Sequence, residues 1–403
     1  MSVVEQPTPV ATADTAATRA ELVARAVALR PLLREHAAAA EDNRRLSDEV
    51  NDVLTRAGMF RMLIRKQYGG YQADLRTVLE VTEALAEADS SASWVVSVGS
   101  VSSWIACVCS EQAQQDIFGA DSDARFAGGV GPTVATPVEG GLRLSGRWGY
   151  ASGSPHATWA SLGAALTDDA GQVVDAVLSF VPVSEVTLEE TWLTVGMRGT
   201  GSHTFVVDDV FVPRHRTISM SALSEGVCAV PADDPLYHVP FGALATLLLL
   251  GPLLGLGHAA LDWTVAKAPT KPIHHTFYPR QTDSVGVQTD VARAALTLET
   301  ARLHIYGAAD ELDTAVSRGE QIDFAARARL RAKFGYAAQQ VLEAIHILLN
   351  VHGAGSFAEA SPMQRYWRDA NTAARHAGLN STVGYETFGK SLLGVEERIG
   401  GIA

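Results

Sequence analysis

From about Arg19 to Phe118, apolar residues return every three or four positions in Ala-, Leu- and Glu-rich windows, with breaks at Gly58 and at Tyr68-Gly69-Gly70-Tyr71. That spacing lines one face of a helix, so it predicts an all-α unit. Beyond Gly119 the period shortens. Val-, Thr- and Leu-rich runs, including Gly141–Trp148, Leu162–Thr167, Ala176–Val183 and Thr204–Val212, are punctuated by Gly, Pro and Asp, the pattern of antiparallel strands. Helical spacing resumes at Phe241 in four stretches, Leu244–Lys267, Val287–Arg318, Ala325–Val351 and Met363–Ala377. Long helices with short links predict a bundle. The expected organisation is an α+β multidomain chain: a disordered tail (1–18), an N-terminal α-helical domain (19–124), a central antiparallel β-domain (125–222) and a C-terminal four-helix bundle (223–403). A sheet between two helical units leaves a cleft beside it, the usual place for a cofactor.

Composition narrows the class. At 403 residues the chain exceeds one ordinary core, and 47% hydrophobic with 19% charged residues is globular usage. The net charge of −13 comes with no concentrated Lys/Arg stretch, which argues against nucleic acid or an anionic membrane as partner. Cys107, Cys109 and Cys228 make neither a disulfide framework nor a zinc spacing, pointing to a reducing cytoplasm. The first 18 residues lack the basic-then-apolar order of an export signal. Phe241–Gly257 is short for a membrane span and carries Pro252, so it reads as a core helix.

The densest chemistry lies in Trp148-Gly-Tyr-Ala-Ser-Gly-Ser154. Trp148 and Tyr150 can wall a flat ring, while Ser152 and Ser154 on a Gly-containing turn can approach its heteroatoms. Aromatics in a half-buried strand equally suit a core, and a turn serine can satisfy its own backbone. Asp369 and His376, seven residues apart, are expected on one helix face. His274-His275 and the pair His346 and His352 lack the geometry for metal, and no Gly-x-Gly-x-x-Gly follows a strand, which argues against a Rossmann NAD(P)H unit.

Several motifs in order resemble a known family: Ala57-Gly-Met-Phe-Arg-Met, Gln67-Tyr-Gly-Gly70, Leu85-Ala-Glu-Ala-Asp89 with Ala92-Ser-Trp94, Gly146–Ser154, Gly196-Met-Arg-Gly-Thr-Gly-Ser202, Asp209-Val-Phe-Val-Pro213 and Trp367-Arg-Asp369 through His376. Over nearly its whole length the chain is similar to the acyl-CoA dehydrogenase fold and, within it, to the two-component (group D) flavin-dependent monooxygenases. The resemblance implies an oxygenase component that takes reduced flavin from a separate NAD(P)H-dependent reductase. It implies reaction with O2 through a C4a-hydroperoxyflavin and hydroxylation of an aromatic, phenolic or polyketide-like small molecule, in a homotetramer. It gives Ser152 the N5 side of the flavin, and His376 the role of base toward a phenol or donor to the peroxide. Trp148, Tyr150, Ser154, Thr200 and Ser202 become flavin contacts, and Trp94, with Trp104 and Trp192, a wall of the substrate pocket. Arg280 and Gln288 are the nearest counterparts of the phosphate-binding pair; their short spacing favours reduced FMN, with FAD the alternative. Glu386 lacks the context of a dehydrogenase base and is read as structural. Rival readings are N- or S-oxidation on the same scaffold, acyl-CoA dehydrogenation, or a non-catalytic flavin-binding protein.

Overall fold

A computed structural model describes residues 13–403 except 168, 169, 171, 225, 227, 228, 231–233, 398 and 401–403. Residues 1–12 of the expected tail and Cys228 therefore lie outside the described residues. Helix α1 (Ala13–Asn43) already takes in positions 13–18, which the sequence assigned to the tail. It is followed by α2 (Asp48–Arg56), α3 (Leu75–Ala86), α4 (Ser90–Val108) and α5 (Glu111–Phe118). Gly58 and Gly69 both take φ of +80°, so the breaks fall where only glycine turns the chain cheaply.

Seven strands follow: β1 (Phe126–Val138), β2 (Gly141–Ala151), β3 (Trp159–Thr167), β4 (Val173–Pro182), β5 (Thr187–Glu189), β6 (His203–Pro213) and β7 (Thr217–Ser219). They form one sheet in the order β5-β6-β2-β1-β3-β4-β7. The expectation of a wholly antiparallel sheet is corrected at one place, where β1 and β3 pair in parallel from Phe126 opposite Trp159. After the β1–β2 hairpin, the chain turns through Ser154–His156 and re-enters on the far side of β1, which fixes its direction. That turn is the one carrying the candidate chemistry.

The short α6 (Met220–Ser224) leads to α7 (Phe241–Leu248), α8 (Leu250–Lys267), α9 (Val285–Ser317), α10 (Phe324–His352), α11 (Pro362–Ala373) and α12 (Ser381–Leu392). Two readings change. The fourth bundle helix stops at Ala373, short of His376, and a further helix, α12, packs on α10. Gly335 makes room for it: a Cβ there would lie 2.6 Å from Ser381 Cα. Two stretches, Ser90–Val108 and Phe241–Thr270, are apolar and long enough to cross a membrane, but 83% of each is buried inside the protein. Both serve as core: α4 threads a large helical core that also takes in Phe126, Leu178 and Phe180 of the sheet. Burying such apolar surface is the main driving force of folding, and here it docks the sheet against both helical units.

Candidate active site

The site assembles where α4 begins. Asp89 caps that helix, its carboxylate accepting the Ser91 and Ala92 N–H groups at 2.8 and 3.4 Å, so the next turn delivers Trp94 at a fixed angle. Opposite it, β2 ends in a strained turn. Tyr150 holds a left-handed φ of 61°, and the Ser152 N–H donates back to the Tyr150 carbonyl at 2.9 Å. A left-handed tyrosine costs roughly 1–3 kcal/mol and persists only where its surroundings impose it. They do: Gly153 (φ +81°) presses on α4 so closely that a Cβ would stand 2.9 Å from Val95 Cγ1, and its N–H donates to the Thr200 carbonyl at 2.8 Å.

This turn meets a second one, Gly196–Ser202. Trp94 Nε1 donates to Ser152 Oγ at 3.2 Å, Ser152 Oγ lies 2.7 Å from Ser202 Oγ, and Ser202 Oγ lies 2.6 Å from Thr200 Oγ1. Thr200 Oγ1 then donates to the Met197 carbonyl at 2.8 Å, which also receives Trp192 Nε1 at 2.8 Å. Three hydroxyls, all buried, thus form one continuous chain.

Met197 is itself left-handed (φ 53°), and its N–H donates to Asp369 Oδ1 at 2.6 Å. The other carboxylate oxygen accepts Ser90 Oγ at 2.7 Å. Asp369 is buried, and desolvation raises its pKa although these hydrogen bonds oppose that. The carboxylate therefore ties α11, α4 and the Gly196–Ser202 turn together. Gly196 completes the joint: a Cβ would stand 2.2 Å from the Arg368 carbonyl oxygen.

His376 follows α11 rather than riding on it, so the helix face it was expected to share with Asp369 does not exist. Its ring instead meets Trp94 edge-to-face at 6.0 Å between centroids. Ser152 and His376, more than two hundred residues apart, thus contact the same indole. The Gly378 N–H donates to His376 Nδ1 at 3.2 Å, which assigns the proton of the neutral ring to Nε2. Protein crowds the ring enough for desolvation to lower its pKa, while its outer surface stays open to solvent.

The other expected site residues separate into groups. Trp148 is fully buried within the sheet, its Nε1 donating to the Gly163 carbonyl at 2.8 Å, so it offers no face to a ligand. Alternation along β2 explains this: residues 148 and 150 would share a face, but the turn at Tyr150 rotates its ring outward, 79% exposed and edge-to-face with Trp192 at 5.7 Å. Ser154 donates to the Gly201 carbonyl at 2.8 Å and is a structural link. Trp104 is core, bonded to the Leu236 carbonyl at 3.0 Å. Arg280 is exposed and forks onto Asp283 at 2.8 and 3.1 Å, while Gln288 donates to the Thr282 carbonyl at 2.9 Å. Within one chain neither belongs to the hydroxyl chain. Glu386 faces Lys390 at 3.9 Å on α12.

Two functional elements escaped the sequence reading: the polar role of Trp94 and the anchoring role of Asp369. Their signal, a tryptophan five residues after the helix cap Asp89 and an Arg-Asp pair before His376, was visible, but the partners were not. A separate cavity of about 300 Å3, lined by His346, Asn350, Gly353, Phe357 and Trp367, includes no member of the hydroxyl chain. The residues at the chain itself fit a flat, polar-edged cofactor such as flavin: an open aromatic face at Tyr150, hydroxyls at Ser152 and Ser202, and an imidazole nearby.

Known proteins resemble the chain in both sequence and fold. Residues 17–119 match the acyl-CoA dehydrogenase N-terminal domain and residues 247–381 its C-terminal domain. The chain is 34% identical over 375 residues, 91% of its length and 97% of the relative's, to the flavin-dependent monooxygenase oxygenase subunit HsaA of Rhodococcus jostii (strain RHA1). It is 30% identical, over 94% of its length and 95% of the relative's, to the FADH(2)-dependent resorcinol hydroxylase oxygenase component of Rhizobium sp. (strain MTP-10005). Among solved structures, XiaF from Streptomyces sp., in complex with FADH2 and glycerol, superposes with a TM-score of 0.91 at 38% identity, covering 96% of this chain and 98% of that one.

Proposed function

Because this chain belongs to the acyl-CoA dehydrogenase fold family and, within it, to the oxygenase subunits of flavin-dependent monooxygenases, we propose that it hydroxylates an aromatic, phenol-like small molecule held beside Trp94 and His376. When bound, reduced flavin supplies the two electrons and two hydrogens with which O2 is divided between a hydroxyl on the substrate and a molecule of water. The observation that carries the reading is the convergence of Ser152 and His376 on the one indole of Trp94. Tyr150 offers its face to the flavin ring and Ser152 a hydrogen bond at the N5 edge. Thr200 and Ser202 hold Ser152 in place. His376, neutral near pH 7 and protonated on Nε2, donates to an oxygen atom in the cleft; of the two roles expected for it, this favours donor over base. Glu386, already paired with Lys390, is poorly suited to remove an α-proton from a thioester.

The cofactor is reduced flavin. We favour FAD over the FMN expected from Arg280 and Gln288, because XiaF and the resorcinol hydroxylase, each at least 30% identical to this chain, are named with FADH2. A separate NAD(P)H-dependent reductase would deliver it, as the relatives' names, oxygenase subunit and oxygenase component, suggest. Leu296 and Leu303, exposed one heptad apart on α9, suit packing of bundles in a homotetramer, and the free buried Cys107 and Cys109 suit the cytoplasm.

The test is anaerobic loading with reduced FAD, an oxygen pulse in the presence of a panel of phenols, and measurement of 18O in the product. Delayed flavin reoxidation with labelled product supports the oxygenase; immediate reoxidation without product refutes it. His376→Ala should still bind flavin but lose about 100-fold or more in product formation. Unchanged yield would remove His376 from the mechanism.

A further inference from the structure

The hydroxyl chain has a direction, and the Met197 end sets it. Met197 contributes a carbonyl oxygen, which can only accept, and Thr200 Oγ1 lies 2.8 Å from it. A hydroxyl has one hydrogen, so Thr200 spends its own there and must accept from Ser202 at 2.6 Å. Ser202 is then committed as a donor and must accept from Ser152 at 2.7 Å. Ser152 thereby loses its hydrogen to the chain. Of its two lone pairs, one is taken by Trp94 Nε1, an indole N–H that can only donate, at 3.2 Å. A single lone pair remains.

We propose that the Met197–Thr200–Ser202 relay makes Ser152 an obligate acceptor, so that the site selects the reduced flavin, whose N5 carries an N–H, over the oxidised flavin, whose N5 presents a lone pair. The proposal rests on the reading of this turn as the flavin site, and it deepens it: Thr200 and Ser202 act as positioning residues that set proton polarity. Reversing the chain requires breaking the Thr200–Met197 hydrogen bond inside a buried site, where an unmade bond is costly. The same polarity keeps a hydrogen-bond acceptor against N5–H and discourages its departure. Burial of all three hydroxyls keeps water from supplying a substitute partner.

The experiment is equilibrium binding, independent of turnover. Affinities for reduced FAD (anaerobic) and oxidised FAD are measured for the wild-type protein, Thr200→Val, Ser202→Ala and Thr200→Ser. The wild-type protein should prefer the reduced form by about 10-fold or more. Thr200→Val, which removes the relay, and Ser202→Ala, which frees the Ser152 hydrogen, should each narrow that preference roughly three- to ten-fold, the value of one hydrogen bond. Thr200→Ser keeps the hydroxyl and should retain the wild-type ratio. A narrowed ratio in the first two with rescue by Thr200→Ser supports the relay, since a packing defect alone would weaken both redox forms alike. Equal ratios in wild type, Thr200→Val and Ser202→Ala overturn it while leaving the flavin site intact. Should Thr200→Val fail to fold, Ser202→Ala decides. A wild-type protein that binds neither form overturns the flavin reading itself, and the relay with it.

Discussion

Asp369→Ala tests whether one carboxylate holds the active-site turn. It removes the acceptor of the Met197 N–H at 2.6 Å and of Ser90 Oγ at 2.7 Å, in a place with no access for water. Hydrogen bonds to a charged group contribute about 1.5–3 kcal/mol each, so the two together reach about 3–6 kcal/mol. Part of this is offset, because burial already raises the pKa of the carboxyl and so disfavours its charged form. A net loss of about 2–4 kcal/mol is expected. Asp369→Asn separates geometry from charge: its amide oxygen can accept from Met197 while its NH2 donates to Ser90 Oγ, and the loss should stay under about 1.5 kcal/mol. Denaturant unfolding midpoints supply the stabilities, and binding of reduced flavin reports on the turn. If Asp369→Ala unfolds at the wild-type midpoint, the anchor does not exist. If Asp369→Asn is as damaging as Asp369→Ala, charge and not hydrogen bonding holds the turn.

Three further outcomes follow from the same geometry. Trp148→Phe should cost about 1–3 kcal/mol through lost packing and the bond to Gly163 while sparing flavin affinity, whereas Tyr150→Ala should weaken flavin binding with little change in stability; the reverse pattern would return Trp148 to the cofactor wall. Gly196→Ala forces a methyl onto the Arg368 carbonyl and should destabilise by about 1–3 kcal/mol, which thermal unfolding would detect; an unshifted midpoint would mean that the joint is loose. Asp313, half-buried and accepting from the Leu75 and Arg76 N–H groups, has its carboxyl pushed up to about 8, mainly by desolvation. Because an unfolded aspartate titrates near 3.9, this group's contribution is full below about pH 4 and is lost as pH rises toward 8. Asp313→Asn should flatten the fall of stability across that window, and an unchanged slope would show that another group is responsible.

Much of the architecture was legible in the sequence. The change from helical to strand period near Gly119 and back at Phe241 marks the three regions, because a helix or sheet face must bury every third-or-fourth or every second side chain whatever its partner. The mixed sheet and α12 were not legible: parallel pairing of β1 with β3 depends on which side of β1 the chain re-enters, and α12 is held by its groove on α10.

The candidate site divides in the same way. Residue chemistry singled out Tyr150 and Ser152, and the family resemblance added Thr200, Ser202, Trp94 and His376. Only the tertiary structure turned Trp148 inward and Tyr150 outward, moved His376 off its helix, and closed Trp94, Ser152, Ser202, Thr200 and Met197 into one directed chain. The reason is physical: periodicity is a property of neighbours along the chain, whereas the direction of a hydrogen bond is decided by whichever donor or acceptor the fold brings to the far end.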